Sequence, residues 1–346
     1  MAEILRYVDP NAAAGGDGTT NALSGANCAY VSQNVWEAAT QQDLTDGGGD
    51  TARVVCSSDD AGSTHAADTT AVAIDGWTTG ASNYITIEAA SSHGGKWNDN
   101  IYRLNTSSAT STIYESYVRI IGIQFSQTAS SGAADQLWIT GLSATGSILI
   151  DKCISKGIFS GTANNLSAIV VSSQTQSLAL NIHNTLIYDY VNGTNLIVGI
   201  YLSSTNTTIN AQNLTLQNCR RGLWRDTFGT FNATNVGMSS VNTPISGTIT
   251  QTTCSTTTPT FVNGAGDDFH LDAADTTWKD QGTDLSATFT DDIDGQTRPT
   301  GAGTWDIGAD EYVSTAIKTI LGLAKASVKT VDGLAIASVK TWGGLT

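Results

Sequence analysis

Two groups of side chains in this sequence have types and spacings suited to chemistry. The first takes one residue from each of several similar segments: Glu88, Ile121, Asp151, His183, Gln212 and Thr234. Glu88 and Asp151 stand two segments apart, roughly 10 Å if the segments stack as neighbouring strands. That is at or beyond the outer limit for a carboxylate pair that inverts a glycosidic bond. Asp151 and His183 come from adjacent segments, within reach of proton transfer between carboxylate and imidazole. A hydrogen-bonded surface ion pair accounts for them equally well. The second group is Arg220 and Arg221 with Trp224, Arg225 and Asp226. Here a guanidinium can clamp a sugar carboxylate while the indole stacks on a ring. The plainer expectation is a loop salt-bridged to an acidic body or to a neighbouring subunit. Trp77, Tyr84, Trp97 and Tyr102 offer a carbohydrate platform, but packing beneath a helix suits them better.

Other chemistries find little support. The run Asp291-Asp292-Ile293-Asp294-Gly295 suggests calcium without the ligand spacing of an EF-hand loop. The five cysteines (28, 56, 153, 219, 254) have no CxxC or Cys/His spacing. They are expected as buried thiols, with a Cys28–Cys56 bridge as the alternative. No metal and no cofactor is expected, and no phosphate loop or Ser/His/Asp arrangement stands out.

Composition narrows the class. Of 346 residues only 14% are charged, while 40% are hydrophobic and Gly, Ser, Thr and Asn fill much of the rest. Helical bundles are richer in Glu and Lys, and disordered chains are poorer in Ile and Val. A formal net charge of −15 argues against nucleic acid or an anionic membrane as partner. No stretch approaches the roughly 20 apolar residues of a membrane span. The opening "MAEILRYVDP" lacks the basic and apolar regions of a signal peptide. Sequons such as Asn192-Gly-Thr and Asn213-Leu-Thr therefore read as Asn/Thr-rich coils rather than glycosylation sites.

The elements that must position these side chains emerge from a repeat. The segments starting at Val118, Ile148, Leu180, Ile209 and Phe231 superimpose, and runs from Ala52 and Ile85 extend the series backwards. Their first and third positions are apolar, as in a strand with one buried face. By the sixth position the apolar phase has shifted by one residue, which requires a bend. The fifth position, Gly122, Lys152, Asn184, Asn213 and Asn235, supplies it, because Gly and Asn enter the left-handed region at least cost. Asn184, Asn213 and Asn235 would then stack as a ladder about 4.8 Å apart, each amide bonding the next.

This combination resembles the right-handed parallel β-helix of the pectate-lyase-like superfamily. The resemblance implies an all-β fold: a β-helix over 51–262 behind an opening segment, 1–50. In that segment a capping helix from about Ser32 to Leu44 would turn Val35, Trp36, Ala39 and Leu44 to one side. Residues 263–313 are similar to a module that closes many bacterial and phage β-helices, D-x-D-G-x-x-R-P followed by D-I-G-A-x-E. Here these are Asp292, Asp294, Gly295, Arg298 and Pro299, then Asp306, Ile307, Gly308, Ala309 and Glu311. Arg298 is expected to pair with a carboxylate such as Asp306.

Residues 314–346 repeat an eleven-residue unit. Asp332-Gly333 between "LAKASVKTV" and "LAIASVKTW" predicts a two-residue hairpin within a small β-meander, with an eleven-residue helical repeat as rival. Such a tail is marginal alone and needs sister chains or another protein. Val328, Val331, Leu334, Val339 and Trp342 are its candidate assembly residues. The "VKT-x-x-GLA" pattern resembles short terminal repeats on structural proteins of tailed phages. That resemblance implies a non-enzymatic virion structural protein: a head decoration, fibre or tail projection at the virion surface. It would be a homotrimer, docked to other virion proteins through the tail and able to bind host polysaccharide. The alternatives are a tailspike-like polysaccharide lyase or hydrolase and a bacterial surface adhesin.

Overall fold

The computed structural model describes residues 2–46, 49–58, 65–132, 134–192, 196–300 and 304–313, together with the backbone of 319–320, 323–324, 330–331 and 334–335. The chain divides into two compact units, residues 1–311 and 312–346.

The first unit is a right-handed parallel β-helix of three sheets. Sheet I has nine strands: Glu3–Val8, Thr51–Cys56, Ile85–Ala89, Val118–Ile121, Gly146–Asp151, Leu178–His183, Thr207–Gln212, Thr230–Thr234 and Thr250–Thr252. Sheet II has six, from Arg103–Ser107 to Gly237–Ser239, and sheet III seven, from Ala73–Ile74 to Thr243–Ser246. The superimposed segments pair in the expected register, since Ala52, Ile85, Val118, Ile148, Leu180, Ile209 and Phe231 are partners in turn. Stacked beside them, Val54, Ile87, Ile120, Ile150, Ile182, Ala211 and Ala233 are buried. Each fully buried branched aliphatic chain adds roughly 1.5–3 kcal/mol. The stack begins earlier than the sequence indicates, because Glu3–Val8 pairs with Thr51–Cys56 as the first strand of sheet I.

The predicted bends are present. Gly122, Lys152, Asn184, Asn213 and Asn235 all have positive φ, between 45° and 67°. They turn the chain from sheet I into sheet II. The capping helix is shorter than expected, Gln33–Thr40, with the Ser32 hydroxyl accepting from the Val35 amide at 3.1 Å. It buries Gln33, Trp36 and Glu37, leaves Val35 and Ala39 exposed, and ends before the buried Leu44. Polar Gln33 and Glu37 lie on the inner side because each side chain finds a partner there: the Gln33 side-chain amide donates to the Cys56 sulfur and Glu37 accepts from the Asp75 amide, while the Gln33 backbone N–H donates to the Asp68 carboxylate. Trp36 lies 5.9 Å from Trp77, so that indole packs under the helix. Tyr102 is buried and bonded to Asp68, whereas Tyr84 lies under the Arg119 guanidinium. All five cysteines are free thiols, and Cys28 and Cys56 bond separately to the Ala13 carbonyl and the Gln33 amide.

In the second unit, Thr330–Val331 pairs antiparallel with Leu334–Ala335 around Asp332-Gly333, the predicted hairpin. Thr319–Ile320 and Leu323–Ala324 pair likewise. Val328, Val339 and Trp342 lie outside the described residues.

Candidate functional site

The module after residue 263 does not act only as an end plug. It runs as a strap along the corner between sheets I and II. Asp267 and Asp291 reach Lys156 and Lys152 at 2.7 and 2.5 Å. Asn213 donates to the Asp306 and Gly308 carbonyls, both at 3.1 Å, and Asn235 donates to the Thr283 carbonyl at 2.8 Å. The Trp278 ring covers Gly237 so closely that a Cβ there would lie 2.3 Å from it. The Asn ladder is accordingly broken. Asn235 bonds Asn213 at 3.0 Å, but Asn213 turns to the strap and Asn184 to Asp151. An uninterrupted ladder forms elsewhere, on the outer face of sheet I, where Asn232 bonds Asn210 and Asn210 bonds Asn181, each at 3.0 Å.

Arg298 is the strap's centre and is fully enclosed. Its carboxylate partner is Glu311, at 2.8 Å, not Asp306. The Asp306 side chain is engaged by the Asp280 amide, while the longer Glu311 reaches both the guanidinium and the Asp306 amide. Arg298 also bonds the Ala309 carbonyl and the Asn184 side chain, tying strap to coil. Asp292 accepts from the Asp294, Gln296 and Glu311 amides, which interlocks the two halves of the motif.

The strap covers one member of the first chemical group, His183. Asp151 and His183 are register neighbours, yet no hydrogen bond joins them among the described residues. His183 stacks on Phe289 of the strap, with centroids 4.7 Å apart. Burial lowers its pKa to about 4, which favours the neutral ring at pH 7, and its Nε2 has no hydrogen-bond partner among the described residues. Burial raises Asp151 to about 6. Glu88, two strands from Asp151, is tied to Arg53 through the guanidinium Nε at 2.9 Å. Each of these three side chains therefore has its own neighbour, and no hydrogen bond joins any two of them among the described residues.

Of the second group, Arg221, Trp224 and Arg225 are on a strand, Arg221–Arg225, with Arg220 and Asp226 flanking it, and neither Arg220 nor Arg221 forms an ion pair among the described residues. Trp138, Val170, Tyr201 and Trp224 are successive partners on the outer face of sheet III. Tyr201 and Trp224 stack at 4.2 Å and 22°, and the Arg221 guanidinium lies 4.6 Å from the indole centroid. Beside them is a cleft of about 240 Å³ whose walls include Asp135, Asn165, Ser167, Val170, Tyr201 and Trp224. Burial pushes the Asp135 carboxyl up to about 6. An aromatic floor with a carboxylate, an amide and a hydroxyl at its edge can stack a sugar ring and bond its hydroxyls. Sequence reasoning found Trp224 but missed Trp138, Tyr201 and Asp135, because coils of unequal length hide the vertical alignment.

A metal-ligating set, not expected from the sequence, also appears. His270, Asp294 and Asp310 bring one ligand atom each within 4.8 Å of one another. The Asp294 and Asp268 carboxylates hold the His270 imidazole well above its usual pKa, at about 9. A scan against protein-family models and a search of curated proteins give no match to the chain.

Proposed function

We propose that this chain is a non-enzymatic structural protein of a phage particle, a β-helical projection such as a head decoration, fibre or tail component, whose sheet III face binds host glycan. The observation that carries the glycan part is the Tyr201–Trp224 stack on the outer face beside Asp135 and Asn165. The non-enzymatic part is supported by the occupied state of Glu88, Asp151 and His183. The virion placement rests on the resemblance of the terminal repeats to those of phage structural proteins, and on a net-positive tail that suits an acidic partner.

Two experiments test this reading. Fragments of bacterial surface polysaccharide are titrated while tryptophan fluorescence is followed, and the viscosity of the intact polymer is recorded with protein present. The expected result is saturable binding that weakens about tenfold or more in Trp224→Ala, with viscosity unchanged. Falling viscosity would put a polysaccharide lyase or hydrolase in its place, and absence of binding would remove the glycan role. Light scattering on the full chain and on a version ending at Tyr312 tests assembly: a trimer that falls to monomers supports the projection, and two monomers contradict self-assembly through the tail.

A further inference from the structure

We propose that His270, Asp294 and Asp310 bind a divalent transition-metal ion of the zinc class, which pins three separate segments of the strap together. His270 lies on the strand Asp268–Leu271, Asp294 in the Asp-Ile-Asp-Gly turn and Asp310 in the Asp-Ile-Gly-Ala-Asp-Glu segment. The site is independent of the glycan cleft and of the virion reading.

Four observations converge on it. The His270 Nδ1 is 2.5 Å from Asp268 Oδ1, which fixes the ring and leaves Nε2 facing Asp294, with Asp310 in the same cluster. A carboxylate behind a histidine is the usual outer partner of a metal-bound imidazole. Nε2 stands 3.6 Å from Asp294 Oδ2, too long for a hydrogen bond. It is close to the edge of a tetrahedron with bonds of about 2.0–2.1 Å, roughly 3.3–3.5 Å. Asp294 Oδ2 accepts from the Gln296 side chain at 2.7 Å, whereas Oδ1 is enclosed by protein and has no hydrogen-bond partner among the described residues. A buried carboxylate oxygen in that state is costly unless a cation or a proton on a neighbouring carboxyl satisfies it.

Finally, the backbone at Gly95 closes over Nε2. A Cβ at this position would lie 2.3 Å from that nitrogen, so only glycine leaves the imidazole's ligating edge clear. The loop carrying Gly95 is held in place by His93, which accepts from the Gly95 amide at 3.1 Å and bonds the Lys152 carbonyl at 2.7 Å. Asp294 also lines a cleft of about 280 Å³ with Glu88, His93 and Lys152, which gives an ion a route from solvent. One nitrogen and two carboxylate oxygens suit zinc or manganese better than calcium, which takes oxygen ligands alone.

The test uses the full chain, stripped with EDTA, dialysed and then titrated with ZnCl₂. The expected result is one equivalent bound, with a melting temperature raised by about 3 °C or more at a hundredfold excess over Kd. Co²⁺ in its place should give a visible ligand-field absorption. Asp310→Asn and Gly95→Ala should each abolish the zinc-dependent rise, the second without removing a ligand. Because either variant could fold poorly, the Co²⁺ titration of the unaltered chain decides independently. Coincident melting curves with and without zinc, together with no Co²⁺ absorption, would overturn the proposal. So would a rise with calcium and none with zinc.

Discussion

Two long surfaces of the same β-helix carry polar and aromatic side chains, and they meet opposite fates. Along the corner between sheets I and II, Lys152, Asn184, Asn213 and Asn235 are all engaged by the strap. On the outer face of sheet III, Trp138, Tyr201 and Trp224 remain partly open. The sequence marks the corner as a line of bends beside Asp151 and His183, and the sheet III face only through Arg221 and Trp224. What separates them is whether a distant segment has already satisfied the side chains, since a paired, desolvated group is structural until its partner moves.

If that distinction is right, the corner should be sensitive to substitution and the sheet III face should not. The largest effect is expected at Arg298→Ala, which leaves the Glu311 carboxylate and the Asn184 side-chain oxygen buried without their guanidinium donor; a loss of about 3–5 kcal/mol in urea unfolding is expected. Next comes acid sensitivity through His183, whose folded pKa of about 4 is below the ordinary value of 6.5. The unfolded chain then binds the extra proton first, so stability is complete above pH 6.5 and falls as the pH drops towards 4, by at most about 3 kcal/mol. His183→Phe should flatten that fall relative to the unaltered chain. Asp151, whose raised pKa acts in the opposite direction, is present in both proteins.

A paired comparison sharpens the contrast. Asn213→Ala removes two bonds to the strap and places alanine at a φ of 52°, for a loss of about 2 kcal/mol or more. Asn210→Ala, in the outer ladder of sheet I, should cost about 1 kcal/mol or less, because its amide remains half-buried and water can replace its partners. Equal losses would mean that the strap adds nothing to the corner. The smallest change in stability is expected at Trp224→Ala, within about 1 kcal/mol, although this variant should lose the most glycan affinity. A large loss of stability there would mark the aromatic column as packing.

Local patterns fixed much of the fold. Alternation of apolar residues set the strand register from Ala52 to Phe231, because a slip of one residue would expose every buried side chain. Gly122 and the Asn residues set the bends, because backbone preference at φ > 0 is a property of single residues, and an Asp-Gly pair between β-prone runs announced the pairing of Thr330–Val331 with Leu334–Ala335. Only the tertiary structure decided the rest. The strap's course along the corner, the choice of Glu311 over Asp306 for Arg298, the covering of His183 by Phe289 and the meeting of His270, Asp294 and Asp310 all join segments distant in sequence or select among neighbouring carboxylates by reach. The Trp138–Tyr201–Trp224 column is likewise set by unequal coil lengths, so no fixed spacing announces it. Periodic, short-range preferences are written along the chain. Pairings between remote side chains depend on which groups are left unsatisfied once the coils have stacked.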